Sequence, residues 1–306
     1  MLLSLVGKPC GAAAASYRMG PMLLNPRAKP STDKPEPVIP NVPAASPPIV
    51  LVFGPFDPSG SAGLPADAIT CAELGCHAVS VLTGTLVQDT ASTENIEAAS
   101  PEMIDDQARC LLEDMPVHAM KAGPFYTTES VSVLAQITAD YSGIPLLTHL
   151  GRLPSVALED EFNAEDTLAA LLELVLPQTD LVMADHTLLQ QWQSHGVLPG
   201  STLEHAMEAL LDYGASALLV SGVPGVGRQR SLLLRDEHGQ TARWSATGGE
   251  PTIDTDGLLA TAITTELARG SEIPRAVDHG VAVLSSMAGR VFQPGMGSRI
   301  FNRSRS

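Results

Sequence analysis

The sequence of 306 residues is long enough to bury a sizeable hydrophobic core. Hydrophobic residues make up 44% and aromatic residues only 4%, which favours an aliphatic α/β core over an aromatic-rich β-sandwich. The formal charge of -16 disfavours nucleic acid and anionic membranes as partners, because both attract basic surfaces.

Two further sequence features bear on location. No apolar run approaches the roughly twenty residues that a membrane-spanning helix needs. The four cysteines form no Cys-x-x-Cys pair and have no histidine cluster beside them. This pattern predicts free thiols in a reducing compartment and therefore a cytoplasmic protein. The eight histidines show no metal-ligand spacing, so the sequence predicts no metal site.

Residues 1–48 differ in composition from the rest of the chain. They hold ten of the 24 prolines and carry a net charge of +3, whereas the remainder carries -19. Proline at this density prevents helices and central strands, so we expect a disordered arm. Its apolar beginning is only weakly typical of a signal peptide, and a true start near Met19 or Met22 would explain it equally well.

From residue 49 the pattern becomes regular. A continuous apolar run at 49–53 predicts a strand buried on both faces, and helical spacing from Leu64 to Leu74 ends at Gly75. Strands then alternate with helices, which predicts one α/β domain over 49–306 with a mostly parallel sheet covered on both faces. The other predicted strands are 78–83, 118–121, 145–148, 181–183, 217–220, 231–234 and 242–244, and the other helices are 101–114, 128–141, 166–176, 203–213, 257–268 and 273–288.

The most specific motif lies at residues 57–67, Asp-Pro-Ser-Gly-Ser-Ala-Gly-Leu-Pro-Ala-Asp, between the first strand and the first helix. It resembles the Asp-Pro-Ser-Gly-Gly-Ala-Gly-Ile-Gln-Ala-Asp motif of the hydroxymethylpyrimidine/phosphomethylpyrimidine kinases of thiamine synthesis. The likeness continues at 74–90, at Lys121-Ala122-Gly123 and at Gly295-Met296-Gly297. It implies a ribokinase-like three-layer α/β/α fold. It also implies ATP and Mg²⁺ as cofactors, a small pyrimidine or related heterocycle as substrate, and a family in which homodimers are common.

The resemblance also implies a pocket for an aminopyrimidine ring. Gln88 and Asp67 match positions that meet the polar atoms of the ring, and Gly54 matches the glycine that approaches it. Leu86 would pack on the ring, and Pro124 replaces a methionine of the pocket wall. Two plainer explanations stay open: Asp67 could cap or solvate a helix, and Gln88 could be a surface turn residue.

The phosphate half of the site departs from the family. There, Gly-Thr-Gly-Cys, or Asp in the last place, forms an anion hole at a helix N-terminus and its last residue acts as base. The matching residues are Asp254, Thr255, Asp256 and Gly257, so both glycines are aspartate and the base is absent. We expect the two carboxylates to cap the helix N–H groups themselves and to repel a triphosphate. A shifted alignment would make Asp256 the base.

Other nucleotide positions are also altered. Asp185 could partly replace the family's asparagine, but Leu188 replaces a glutamate that serves the metal, and Ser221 replaces a lysine. Arg228 and Arg230 could supply a lost cation. Two functions follow: an ATP-dependent pyrimidine kinase, or a non-catalytic pseudokinase that binds a pyrimidine-like or pyridoxal-like ligand or a protein partner. Residues 254–257 favour the second.

Overall fold

The computed structural model describes residues 46–153, 163–225, 229–246 and 252–304. The predicted arm therefore lies outside the described residues except for 46–48. The strands are β1 (Ile49–Phe56), β2 (His77–Gln88), β3 (Thr93–Ala98), β4 (Val117–Ala122), β5 (Leu146–Leu150), β6 (Leu181–Asp185), β7 (Ala217–Pro224), β8 (Arg230–Asp236), β9 (Thr241–Ala246), β10 (Val291–Phe292) and β11 (Ile300–Phe301). The helices are α1 (Gly63–Glu73), α2 (Pro101–Asp114), α3 (Thr128–Asp140), α4 (Ala164–Ala170), α5 (His186–Ser194), α6 (Leu203–Leu211), α7 (Thr255–Leu267) and α8 (Ile273–Met287).

Nine strands form the main sheet in the order β3-β2-β1-β4-β5-β6-β7-β8-β9. The six strands β2, β1, β4, β5, β6 and β7 run parallel to one another, whereas β3 pairs antiparallel with β2 at one edge, and β8 and β9 form antiparallel pairs at the other. The carboxyl ends of β1, β4, β5, β6 and β7 therefore meet at one edge. Ligands bind at this edge in folds of this type.

The two faces of the sheet carry separate cores. Leu51 and Phe53 of β1 point into the core formed with α2 to α6, and Val50 and Val52 point into the core formed with α1, α7 and α8. The alternation follows from the two-residue period of a strand. The predicted three-layer α/β/α architecture is confirmed.

Several elements differ from the sequence prediction. Strand β2 continues to Gln88 and β3 follows it, but their alternating exposed residues leave no continuous apolar run. The short polar helix α5 and the two-residue strands β10 and β11 were likewise not predicted. The single helix predicted at 166–176 is wrong in detail, because α4 gives way to a π-helical turn at Leu171–Val175 and a 3-10 turn at Leu176–Gln178.

Candidate functional site

The loop between β1 and α1 is organised by the buried carboxylate of Asp57. It accepts hydrogen bonds from the Ser59 amide at 2.8 Å, the Ser59 hydroxyl at 2.9 Å and the Ser61 hydroxyl at 2.8 Å. The Ala62 amide donates a fourth at 2.9 Å. These bonds fix residues 57–62 at the carboxyl end of β1, since local side-chain bonds give the backbone an alternative to helix or strand.

Gly63 closes this loop and must be glycine. Its φ of +60° lies in the left-handed region, and a β-carbon there would lie 2.3 Å from the Pro55 carbonyl oxygen. Glycine is thus required at this position of the motif because the backbone at residue 63 lies close to the backbone at Pro55.

Asp67 of α1 forms a buried ion pair with Lys121 of β4. The Lys121 Nζ donates to both carboxylate oxygens at 2.7 Å, and the Thr261 hydroxyl of α7 donates to Oδ1 at 2.5 Å. Both charged side chains are 5% exposed. This arrangement replaces the helix-capping or solvated alternatives for Asp67. It also joins α1, the sheet and α7 beneath the candidate site.

The other predicted pocket residues lie on β1, β2 and the segment after β4. Gly54 packs against the Leu64 side chain, and the Thr83 hydroxyl of β2 donates to the Pro124 carbonyl at 2.9 Å. Leu86 is buried in a small cluster with Ile96 and Tyr126.

Gln88 lies at the end of β2 and is half-buried. Its side-chain carbonyl accepts from the Thr93 hydroxyl at 2.5 Å, so this oxygen is already engaged within the β2–β3 hairpin. The neighbouring Thr90 holds the glycine segment near the C-terminus, because the amides of Gly297 and Ser298 donate to its hydroxyl and carbonyl oxygens. The segments 74–90 and 295–297, which both resemble the family, are therefore in contact.

The start of α7 corrects one prediction. Asp254 occupies the N-cap position in the left-handed region, with φ +64°, but its side chain makes no capping hydrogen bond. Its Oδ2 instead accepts from Arg303 at 3.1 Å, and Asp256 Oδ2 accepts from the Ser221 hydroxyl at 2.9 Å. The expectation that both carboxylates cap the helix is wrong, because tertiary partners hold them elsewhere.

The remaining residues of this segment fill two backbone roles. Thr255 is the first helical residue, and its hydroxyl donates to the Thr252 carbonyl at 3.3 Å. Gly257 is buried, and a β-carbon there would lie 1.8 Å from Asp254 Oδ1. The family's base position is thus in contact with the Asp254 carboxylate.

Asp185 is the N-cap of α5 and a partner of Arg152. Its Oδ1 accepts from the Thr187 and Leu188 amides at 2.9 and 3.3 Å and from Arg152 at 3.1 Å. Burial opposes its ionisation, but these hydrogen bonds outweigh it and lower its pKa. Gly222 of β7 adopts φ +67° beside it, where a β-carbon would lie 2.6 Å from Asp185 Oδ2.

Burial dominates the titration of the groups at the start of α7. It raises the pKa of Asp254 to about 7, with the charge of Asp67 adding to the effect and those of Lys121 and Arg303 opposing it. Burial also raises the pKa of Asp256 to about 6, although the bond from Ser221 opposes the shift.

His149, at the end of β5, behaves in the opposite sense. Burial and the nearby Lys121 charge lower its pKa to about 3, so it is neutral at physiological pH. It therefore adds no positive charge to the candidate site.

Sequence reasoning missed two arginines of the site. Arg303 is buried and donates to the Thr70 hydroxyl at 3.1 Å, the Ser61 carbonyl at 3.2 Å and Asp254. Arg152 is more exposed and pairs with Asp185. The position of Arg152 just after a parallel strand could have flagged it, whereas Arg303 lies in a short terminal segment without periodicity. Arg230 contacts the Gly222 carbonyl, and Arg228 lies outside the described residues.

The described residues contain no metal cluster and no membrane-spanning helix. No group of three or more His, Cys, Asp or Glu side chains in this part of the chain is arranged to hold a metal ion. No helix within the described ranges is long and apolar enough to cross a membrane. Cys71, Cys76 and Cys110 are free thiols.

Comparison with known proteins gives consistent results. A family model described as phosphomethylpyrimidine kinase matches residues 57–302. The chain is 26% identical over 235 residues to the hydroxymethylpyrimidine/phosphomethylpyrimidine kinase of Streptomyces coelicolor, which covers 77% of this chain and 86% of that protein. It is 29% identical over 248 residues to the protein of the same name from Mycobacterium tuberculosis, covering 78% of this chain and 87% of that one.

Solved structures share the fold. Bacillus subtilis pyridoxal kinase, in an ADP complex, matches with a TM-score of 0.72 at 17% identity, over 84% of this chain and 98% of that chain. Phosphomethylpyrimidine kinase from Clostridium difficile 630 matches with a TM-score of 0.64 at 20% identity, over 78% and 98%. These likenesses confirm the ribokinase-like fold expected from the sequence.

Proposed function

The chain belongs to the phosphomethylpyrimidine kinase family, and we propose that it transfers the γ-phosphate of MgATP to the hydroxymethyl group of an aminopyrimidine. The observation that carries the proposal is the start of α7. Its N-cap side chain leaves the first helical N–H groups uncapped, at the edge of the sheet where ligands bind in this fold class. Uncapped amides at a helix N-terminus bind phosphate.

The backbone at this point supports the same function. Asp254 adopts the left-handed conformation that glycine adopts readily, at the position where the family has glycine. The aspartate therefore changes the side chain and keeps a backbone suited to an anion hole. Stabilisation of developing charge by such fixed dipoles is a major part of phosphoryl-transfer catalysis.

The charges around the site reduce the repulsion expected from the sequence. Asp254 pairs with Arg303 and Asp185 pairs with Arg152. Mg²⁺ commonly reaches such sites on the substrate phosphates and retains several waters, so a dedicated protein cage is not required. Two of the three aspartates near the phosphate position thus carry a matched cation.

On the substrate side we propose the residues that the family resemblance assigns. Gln88 and Asp67 would meet the polar atoms of the ring, and Gly54, Leu86 and Pro124 would form the walls. The Asp67 carboxylate already accepts from Lys121 and Thr261, so its contribution would be indirect, through its charge and the position of α1. The Gln88 amide nitrogen donates to no residue that the structure describes, so we propose that it donates to a ring nitrogen.

The test is turnover by the purified full chain. Hydroxymethylpyrimidine and MgATP should yield phosphorylated pyrimidine and ADP in equal amounts, measured by chromatography. Calorimetric titration with each ligand separately should show that both bind. Binding of the pyrimidine without any ADP formation would overturn the proposal.

The ring pocket has its own test. Gln88→Ala should weaken pyrimidine binding about fivefold to tenfold, the loss of roughly one hydrogen bond. The matched control is Gln240→Ala, which removes an exposed glutamine from the β8–β9 hairpin. Equal affinity in the two variants would remove Gln88 from the pocket.

The second candidate is a pseudokinase that binds the pyrimidine or a related heterocycle without transfer. The observation that favours it is the pair of carboxylates that replaces the two anion-hole glycines. If these block the nucleotide, the triple substitution Asp254→Gly, Asp256→Gly and Gly257→Cys should raise MgATP affinity in calorimetry. Unchanged affinity would count against a blocked site.

A further inference from the structure

The first residues of α7 separate the two halves of the candidate site. Asp256 faces β7 and β6, because it accepts from Ser221 and feels the charge of Asp185. Asp254 faces α1 and the 57–62 loop, because its partner Arg303 also binds the Ser61 carbonyl. The nucleotide candidates Asp185 and Ser221 therefore lie on the side of Asp256, and Asp67 and the 57–62 loop lie on the side of Asp254.

The space beside Gly257 is occupied by Asp254. A β-carbon at position 257 would lie 1.8 Å from Asp254 Oδ1, 2.6 Å from its Cγ and 2.9 Å from its Oδ2. No other residue type fits at 257 while the Asp254 carboxylate stays in place. The carboxylate thus fills the volume into which a side chain at 257 would extend.

One oxygen of this carboxylate has room for a substrate. Arg303 holds Oδ2 at 3.1 Å, whereas Oδ1 accepts no hydrogen bond from any residue that the structure describes. The Asp254 side chain retains 12% of its surface exposed. Arg303 therefore fixes the position of the carboxylate, and Oδ1 can accept a hydrogen bond from a substrate next to the uncapped N-terminus of α7.

We propose that Asp254 Oδ1 is the general base of the reaction, acting in place of the side chain that is missing at 257. The inference rests on the proposed kinase function. Oδ1 takes the proton of the substrate hydroxymethyl group as that oxygen forms a bond to the γ-phosphorus. The bond from the γ-phosphorus to the bridging oxygen of ADP breaks, ADP leaves with that electron pair, and the proton later passes from Asp254 to solvent.

The surroundings of Asp254 suit a base. The charges of Asp67 and Asp256 favour its protonated form, and those of Lys121 and Arg303 favour its ionised form. With burial, the result is a pKa of about 7, close to the operating pH at which a general base works best. Arg303 is a positioning residue, because it acts through Asp254.

The geometry has a test that needs no activity. Gly257→Ala should lower the unfolding temperature, because the new β-carbon forces Asp254 away from Arg303. In the Asp254→Gly background the same Gly257→Ala change should not lower it, since the carboxylate is gone and alanine favours the helix. Equal effects in the two backgrounds would show that Asp254 does not occupy this space.

The catalytic assignment is tested by kinetics of the full chain. Asp254→Asn keeps the size of the side chain and should lower kcat about 10²- to 10⁴-fold, with little change in the KM for MgATP. It should also remove the decline of kcat/KM below about pH 7. The double variant Asp254→Gly/Gly257→Cys returns a base to the family position. Its kcat should be at least about tenfold higher than that of Asp254→Gly alone.

Three results would overturn the proposal. If Asp254→Asn keeps wild-type kcat and pH profile, the kinase function stands and the base lies elsewhere. If Asp256→Asn instead loses kcat, that base is Asp256, the alternative of the shifted alignment. If the wild type binds pyrimidine but forms no product, the kinase function falls and the base assignment falls with it. Asp114→Asn, an exposed change at the end of α2, controls for loss of charge alone.

Discussion

The buried pair of Asp67 and Lys121 allows a quantitative test of how the site is held together. The substitution Lys121→Met keeps most of the length of the side chain and removes its charge. Among the described residues, Asp67 would then retain only the Thr261 hydroxyl as a hydrogen-bond partner, at 2.5 Å, in a position that is 4% exposed. An ionised carboxylate left unpaired in such a place is strongly destabilising.

The expected loss is about 3 to 5 kcal/mol of unfolding free energy, the usual cost of breaking a buried ion pair from one side. The double variant Asp67→Leu/Lys121→Met should recover most of it, because no charge is then left in the core. Arg235→Met is the matched control. Its partner Glu208 is 52% exposed, so this ion pair should contribute about 1 kcal/mol or less.

Urea unfolding followed by circular dichroism measures all four proteins. The reasoning requires a large loss in Lys121→Met and a recovery in the double variant. A loss below about 1 kcal/mol, or a double variant no more stable than Lys121→Met, would refute the ion pair as the element that joins α1, β4 and α7.

Three further predictions follow from the same contacts. The fold raises the pKa of Asp254 to about 7, so the stability that its protonated form contributes is present below about pH 4 and is lost as the pH rises through 7. The stability of Asp254→Asn relative to wild type should therefore increase as the pH rises over this range, as measured by urea titrations. Gly63→Ala should lower the unfolding free energy by more than about 3 kcal/mol. At Gly60 a β-carbon meets no atom within 4 Å, so Gly60→Ala should lower it only by the left-handed strain of about 1 to 2 kcal/mol. Equal losses in the two variants would refute the contact with Pro55. Arg152→Met should raise the KM for MgATP severalfold with little change in unfolding temperature, since its side chain is 58% exposed; an unchanged KM would place it outside the nucleotide site.

The fold was largely predictable because its central strands are buried on both faces. Such strands appear as continuous apolar runs, and β1, β6 and β7 were found this way. Strand β3 was missed because it is an edge strand with a single buried residue, Ile96. Its pairing with β2 depends on a neighbour rather than on its own pattern.

The β1–α1 loop was more predictable than the start of α7. The motif at 57–67 locates a loop whose carboxylate and glycine roles are local, as Asp57 and Gly63 show. The sequence analysis did not predict a partner for Lys121, although a lysine within a buried strand requires one. That the partner is Asp67 depends on packing between α1 and β4, which local sequence does not reveal.

The prediction for α7 failed for a definite physical reason. Local rules place an aspartate at the N-cap in contact with the next amides. Asp254 has a left-handed backbone instead of the extended backbone typical of a capping residue, and Arg303, 49 residues later in the chain, offers its carboxylate a charged partner inside the protein. No pattern in the sequence links these two positions.

This competition changes what the replaced glycines mean for function. An aspartate that capped the helix would consume the amides that hold phosphate and would add uncompensated charge. Because Arg303 draws the Asp254 carboxylate towards α1, the amides stay uncapped and the charge is matched. Aspartate in place of glycine at position 254 argues against kinase activity when only the sequence is considered. It is compatible with kinase activity when Asp254 is considered together with its partner Arg303. Asp256, which has only the Ser221 hydroxyl as a hydrogen-bond partner among the described residues, is then the remaining carboxylate that a triphosphate would have to tolerate.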